Sequence, residues 1–283
     1  MGRSRGGAGR YNDNERTRRA SRSPPAPVKQ GADPQLQEIL VTAARRTEPL
    51  SKVPLSITAV SQDQMDQHQM EQSGSYTVFS VPGWGSALAE AMLALCCAPV
   101  RIEDVTGFDR PGAARDRLLR VNPLGQVPAL LLPDGEVITE SAAIALLLSE
   151  RHPQAGLAPA PGTARRPAFL RRLIWIAANV YPTFTYGDYP DRWVGTDPKS
   201  LTTATDRYRE RLWREFESEV SKDAWSLGAQ FSALDIYVAV MTHWKPQRAW
   251  FAVNCPRLSA IASRADEHSR LKAVLQRNFP STS

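Results

Sequence analysis

The apolar and polar residues of this chain follow two different patterns on either side of about residue 153. Between residues 76 and 151, short apolar runs rich in Val, Ile and aromatic residues alternate with stretches in which apolar residues recur every three or four positions. The runs indicate strands and the recurring positions indicate helices. They predict strands over residues 76–80, 100–105, 127–132 and 136–139, and helices that begin at residue 86 and cover residues 113–120 and 141–151. This order, βαβαββα, fits a small mixed sheet covered by helices.

The second half of the chain has only helical periodicity. A stretch rich in Pro, Ala and Gly over residues 153–167 indicates a linker between domains. Beyond it, the pattern predicts helices over residues 168–180, 198–220, 233–243 and 256–265, with a last piece near Leu271. We therefore expect an all-helical second domain.

The first 35 residues differ in composition from everything that follows. They are rich in Gly, Pro and Arg and have few large apolar side chains, which predicts a disordered tail. Residues 1–30 carry eight Arg or Lys and two acidic residues, and this excess of six equals the formal charge of +6 of the whole chain. The remainder is neutral, so its charge does not indicate a nucleic-acid partner.

Cysteine and histidine usage does not indicate a metal site or a disulfide framework. The chain has three cysteines, at positions 96, 97 and 255, without a CxxC pair, and its four histidines lack metal-ligand spacing. No run approaches the roughly 18 apolar residues of a membrane helix, and the Arg-rich start lacks the apolar core of a secretory signal. We expect a cytoplasmic protein with no metal and no membrane partner.

A separate segment over residues 36–72 contains the string LQEILVTAARRTEPLSKVPLSITAVSQDQM. This string resembles the start of the plug domain of TonB-dependent outer-membrane receptors. Such a receptor also needs a barrel of long alternating strands, and no later part of the sequence alternates in that way. We expect a fused remnant or a misplaced start codon. A retained partner-binding strand is the second interpretation, and a receptor fragment is a remote one.

Residues 76–280 resemble the cytosolic glutathione transferase family, bacterial type. The string NPLGQVPALLLPDGEVITESAAIALLLSERHP and the change from a βαβαββα half to a helical half carry the resemblance. It implies an α/β plus all-α fold, with a thioredoxin-like glutathione-binding domain over residues 75–153 and a helical acceptor-substrate domain over residues 163–280. It also implies glutathione as cosubstrate, a small electrophile as second substrate and a homodimer.

The resemblance also indicates which residues hold glutathione, namely Gln126, Val127, Pro128, Glu140 and Ser141. In the family the Val-Pro bond is cis, and the backbone before the proline pairs with the cysteinyl backbone of glutathione like one more strand. Ser141 at a helix start would hold the γ-glutamyl carboxylate, and Glu140 would pair with the ammonium group. Without a ligand role, Pro128 would be an ordinary hairpin proline and Ser141 a helix cap.

The residue that activates the glutathione thiol is less clearly marked. The family has Tyr, Ser or Cys just after the first strand, and VPGWGS here resembles its bacterial Pro-Gly-x-Cys-Ser pattern with Gly85 at the cysteine position. We expect Ser86 to donate a hydrogen bond to the thiolate, with Ser80, at the tyrosine position, as the other candidate. A free thiol titrates near 8.5, so a mostly ionised thiol at neutral pH needs a pKa lowered by about two units.

For three further features, the sequence indicates a structural role or does not decide the role. Cys96 and Cys97 lie at the far end of the helix that begins at residue 86, where inert thiols are expected. Ser232 and Asp235 are spaced as a helix capping box. The run YPTFTY, residues 181–186, either lines the acceptor pocket or packs in the core.

The leading functional prediction is a glutathione transferase. The alternatives are a glutathione-dependent isomerase or dehalogenase on the same fold, and a glutathione-binding module without catalysis, because fold alone does not fix the reaction.

Overall fold

The protein is described here by a computed structural model that covers residues 74–280. The predicted disordered tail over residues 1–35 and the plug-like segment over residues 36–72 lie outside the described residues.

A mixed four-stranded sheet forms the first half of the described chain. The strands are β1 (Tyr76–Ser80), β2 (Val100–Asp104), β3 (Ala129–Leu131) and β4 (Val137–Thr139). They lie in the order β2-β1-β3-β4, with β1 parallel to β2 and antiparallel to β3, and β3 antiparallel to β4. The predicted mixed sheet is confirmed.

Three helices cover the two faces of this sheet, namely α1 (Ser86–Cys96), α2 (Ala113–Val121) and α3 (Ser141–Arg151). Successive residues of a strand point to opposite faces, so β1 contributes to two cores. Tyr76 and Val78 pack with α1 and α3 in the larger core, whereas Phe79 packs with α2 in a smaller one. The pleat of β1 therefore decides which of its residues lie under α1.

The second half is all helical, as predicted. Its helices are α4 (Arg166–Trp175), α5 (Tyr181–Asp188), α6 (Pro198–Glu219), α7 (Ala233–Met241), α8 (Arg248–Asn254), α9 (Pro256–Asp266) and α10 (Lys272–Asn278). The predicted helix over residues 168–180 continues as α5, through a π-helical turn over Ile176–Val180. Pro182 interrupts the helical pattern in the sequence but is tolerated in the first turn of α5. The short helix α8 has no clear periodicity and was not predicted.

Two helices lie at the centre of the larger core. Ten of the eleven residues of α1 are buried, and so is every residue of α7. Burial on all sides requires a nearly apolar surface all round, which the sequences SALAEAMLALC and ALDIYVAVM provide. Their buried polar residues Ser86, Glu90 and Asp235 are hydrogen-bonded. The first half and the helical half therefore share one core. Within residues 74–280, no helix is long and apolar enough to cross a membrane.

The predicted capping box at the start of α7 is present, and its acid has a second role. One oxygen of Asp235 accepts a hydrogen bond from the Ser232 amide at 2.8 Å, and the other accepts from the Ser226 amide at 2.8 Å. Asp235 is completely buried. It therefore joins the loop before α7 to the helix as well as capping it.

We expect Asp235→Ala to lower the free energy of unfolding by about 3 kcal/mol or more, because two buried amides lose their acceptor. Asp104→Ala is the matched control. Asp104 also accepts a backbone hydrogen bond, from Thr106 at 2.8 Å, but it is exposed, so its loss should cost about 1 kcal/mol or less. Urea denaturation of both variants compares the two costs, and equal losses would contradict this role of Asp235.

Candidate functional site

A cleft of about 620 Å³ lies where the first half meets the helical half. It is lined by the loops after β1 and β2, the segment before β3, the start of α3, helix α5 and the turn after α7. The residues that line the cleft include Gly83, Trp84, Gly85, Phe108, Gln126, Val127, Pro128, Glu140, Ser141, Tyr181, Phe184, Asp188, Trp244 and Lys245. Its size suits a small-molecule ligand.

The N-terminus of α3 opens into this cleft. Glu140 precedes the helix with φ 64°, and Ser141 is its first residue. The first turn of α3 has no acidic residue and no side-chain cap. Backbone N–H groups at a helix start, with the positive end of the helix dipole, form a site for an anion.

Ser141 is positioned from the helical half. Tyr237 in α7 donates a hydrogen bond from its hydroxyl to Ser141 Oγ at 2.7 Å, and both residues are buried. Burial raises the pKa of Tyr237, so its hydroxyl stays protonated and remains a donor. Ser141 Oγ uses one lone pair in this contact and keeps its own proton for another partner.

The segment before β3 forms another wall of the cleft. The Val127-Pro128 bond is cis, as the family resemblance implies. The carbonyl of Gln126 accepts a hydrogen bond from the Asn122 side chain at 2.8 Å, which fixes the turn that leads to Val127. Gln126, Val127, Pro128, Glu140 and Ser141, the five residues predicted to hold glutathione, all line the same cleft.

The loop after β1 is held in place by two side chains of the helical half. Asn278 in α10 accepts a hydrogen bond from the Gly83 amide at 3.1 Å, and Trp244 donates from Nε1 to the Gly83 carbonyl at 2.7 Å. Trp84 in the same loop contacts Phe108 edge to face, with ring centroids 5.2 Å apart. The base of the cleft therefore depends on contacts far apart in sequence.

Ser86 and Ser80, the two candidates for thiol activation, do not line the cleft. Ser86 is fully buried, and its hydroxyl accepts from the Val81 amide at 3.0 Å and donates to the Val81 carbonyl at 3.1 Å. Ser80 is also buried; its hydroxyl lies 3.0 Å from Ser86 Oγ and is hydrogen-bonded to Glu90.

The pleat and the helix start explain why these serines face the interior. Ser80 lies on the same face of β1 as Tyr76 and Val78, under α1, and Ser86 turns its hydroxyl back to the end of the strand. Their hydroxyls hold the βα turn together. A contact with a ligand thiol remains an untested prediction for both, and their burial away from the cleft weighs against it.

None of the three cysteines lines the cleft. Burial raises the pKa of Cys96 to about 12 and that of Cys255 to about 12, so both are neutral thiols at neutral pH. Cys97 is exposed at the far end of α1. Among residues 74–280, no three His, Cys, Asp or Glu are grouped so that they could hold a metal ion.

Tyr181 belongs to the run YPTFTY, whose place in the pocket or in the core the sequence left open, and it lines the cleft. Sequence reasoning did not find three further residues that build the cleft, namely Tyr237, Trp244 and Asn278. They act through contacts across more than 90 positions of sequence. No local pattern signals such contacts.

The fold and the cleft together define a class: a thioredoxin-like sheet domain followed by a helical domain, with a helix start and a cis-proline edge facing one pocket. A family model for the glutathione S-transferase N-terminal domain matches residues 89–151. The chain is 43% identical over 201 residues to the uncharacterized GST-like protein YncG of Escherichia coli K12, which covers 71% of this chain and 97% of that protein.

Two solved structures extend this comparison. A sphingomonad glutathione S-transferase complexed with glutathione has 27% identity and a TM-score of 0.59, and covers 71% of this chain and 97% of its own. A beta class glutathione S-transferase from Sphingomonas chungbukensis has 26% identity and a TM-score of 0.61. The match covers 72% of this chain and 98% of that chain. The chain belongs to the glutathione S-transferase family.

The backbone of Glu140 is strained, because a side chain with φ 64° lies in a region that favours glycine. We expect Glu140→Gly to keep or raise the free energy of unfolding, by up to about 1 kcal/mol. Glu136→Gly is the control: Glu136 is exposed and its φ is not positive, so glycine there should lower the free energy of unfolding by about 0.5–1 kcal/mol. Thermal or urea denaturation compares the two, and a larger loss at position 140 would contradict the strain.

Proposed function

We propose that this chain is a glutathione transferase that adds or exchanges glutathione thiolate on a small electrophile. The observation that carries the proposal is the convergence of the α3 start, the Val127-Pro128 edge and the loop after β1 on one cleft. Membership of the family and the sphingomonad enzyme's complex with glutathione support it.

The γ-glutamyl end of glutathione is assigned to the start of α3. The Ser141 amide and hydroxyl would donate to the carboxylate, where the helix dipole favours negative charge. Glu140, exposed at the rim, would pair with the ammonium group. The carboxylate of the ligand would then have hydrogen-bond donors, and its ammonium group would have a partner of opposite charge.

The cysteinyl part of glutathione is assigned to the edge before β3. The Val127 backbone would pair with the ligand backbone as an added strand does, while Gln126 and Pro128 form the wall beside it. This placement would direct the thiol toward the loop that ends at Gly85, at the start of α1.

The electrophilic substrate is assigned to the part of the cleft that the helical half lines. Phe184 and Trp244 give it an apolar lining, and Asp188 and Lys245 give it charge. Phe108, in the loop after β2, lines the same cleft from the first half. Burial raises the pKa of the Asp188 carboxyl, while the charges of Arg209 and Lys245 act in the opposite direction. An apolar electrophile with a polar substituent fits this mixture. An isomerase or dehalogenase would use the same lining, so a panel of substrates separates these activities.

The cytoplasmic location and the homodimer belong to the same proposal. The location rests on the cysteine usage of the sequence, and the homodimer rests on the family resemblance. Sedimentation of the purified chain at several concentrations tests the dimer, and fractionation of cells tests the location.

We expect Ser141→Ala to weaken glutathione binding about tenfold or more, because a hydrogen bond to a charged group contributes about 1.5–3 kcal/mol. The same change leaves the buried Tyr237 hydroxyl without its acceptor, so some stability is lost as well. Tyr237→Phe is the matched control, since it removes the same internal hydrogen bond but keeps the Ser141 hydroxyl. Calorimetric titration with glutathione should give the larger loss of affinity for Ser141→Ala.

Equal affinity losses in the two variants would mean that Ser141 acts only through its contact with Tyr237. Unchanged affinity in Ser141→Ala would remove this residue from the site. If the wild-type chain binds glutathione but converts no member of a panel of aryl halides, epoxides and enones, the non-catalytic binding module replaces the transferase.

A further inference from the structure

The Tyr181 hydroxyl lies at the base of the cleft without a hydrogen-bond partner. Tyr181 is the first residue of α5 and lines the cleft. Its hydroxyl oxygen is buried and has no partner among residues 74–280. A buried hydroxyl without a partner is unfavourable for folding, so its retention calls for a reason.

Gly85 defines where that hydroxyl lies. A β-carbon built on Gly85 would be 2.1 Å from Tyr181 Oη and 3.1 Å from the Val127 carbonyl oxygen. The first distance is too short for any real contact, so the phenol occupies the space that a side chain at position 85 would fill. The hydroxyl therefore lies at the start of α1, beside the edge assigned to the cysteinyl part of glutathione.

The phenol ring is fixed by its neighbours. Trp244 contacts it edge to face with ring centroids 5.8 Å apart, and the same Trp244 holds the Gly83 carbonyl. Phenylalanine would make the same apolar contacts at position 181. Packing therefore accounts for an aromatic ring at position 181, but it does not account for the hydroxyl group.

The charge state of the phenol suits a donor. Burial and the charge of Glu140 raise its pKa, so it keeps its proton at neutral pH. The titratable group that acts on it is Glu140, at the start of α3. Tyr181 in turn raises the pKa of the buried Tyr237 of α7. A neutral hydroxyl near an anionic sulfur stabilises the anion and lowers the pKa of the thiol.

We propose that Tyr181 donates a hydrogen bond from Oη to the sulfur of bound glutathione and so stabilises its thiolate, the role that the sequence assigned to Ser86 or Ser80. This inference rests on the proposed function. The thiol proton is released to water, the phenol keeps its own proton, and the electron pair stays on sulfur for attack on the electrophile. The donor thus comes from the helical half.

The test compares Tyr181→Phe with the wild-type chain by spectroscopic titration of the bound thiolate. Loss of a hydrogen bond to a charged acceptor should raise the pKa of the bound thiol by about one to two units. At neutral pH, kcat/KM should fall about tenfold or more, and this loss should shrink as the pH rises. Glutathione affinity at low pH, where the thiol is neutral, should stay unchanged. The melting temperature of the ligand-free chain should stay the same or rise, because the variant removes a buried hydroxyl that has no partner among residues 74–280.

Tyr186→Phe is the matched control, because it removes a phenol hydroxyl from the same helix at an exposed position outside the cleft lining. It should titrate like the wild type. Gly85→Ala is a second test, since Gly85 has φ −58°, which alanine adopts readily, and the added methyl group would displace the phenol. It should raise the pKa of the bound thiol although every tyrosine is kept.

The outcomes separate this inference from the proposed function. If Tyr181→Phe and Gly85→Ala bind glutathione and titrate like the wild type, Tyr181 is not the donor, while the proposed function stands. If the wild-type chain does not bind glutathione at all, the proposed function itself fails. A raised pKa in Ser86→Ala with none in Tyr181→Phe would return the role to the serine.

Discussion

The burial of helix α1 on all sides is the constraint on which the rest of the structure depends. This helix lies between the sheet and the helical half, and ten of its eleven residues are buried. Its one buried acid, Glu90, is hydrogen-bonded to Ser80 in the first half and to Arg277 and Asn278 in α10. A buried carboxyl group needs such partners, so Glu90 joins α1 to the end of β1 and to α10.

The cleft follows from this arrangement, because the helical half positions the loop before α1 and the start of α3. Trp244 and Asn278 hold the loop before α1, Tyr237 holds Ser141 at the start of α3, and Tyr181 fills the space above Gly85. The sheet domain supplies the backbone groups that face a ligand. The helical domain fixes the loop before α1 and the start of α3, and Asn122 of the sheet domain fixes the turn before Val127. A substitution in the helical half is therefore able to change ligand binding without contact with the ligand.

The sequence predicted the parts of this structure that local patterns determine. The strand over Tyr76–Ser80, the helix over Ser86–Cys96 and the pair Glu140-Ser141 at a helix start follow from periodicity, turn residues and capping. Local patterns do not predict the direction in which the Ser80 or Ser86 hydroxyl points. That direction depends on the pleat of β1 and on which helix covers each face of the sheet. This is why Ser80 and Ser86 were predicted at the cleft, although the structure buries both. Tyr181 reaches the cleft by a contact across 96 positions, which a single sequence does not reveal.

A crystal structure of the chain with glutathione tests the central claim most directly, since it places the sulfur and the carboxylate together. The account predicts the γ-glutamyl carboxylate at the Ser141 amide and the sulfur within hydrogen-bonding distance of Tyr181 Oη. A sulfur in contact with Ser86 Oγ instead, or glutathione bound outside this cleft, would contradict it.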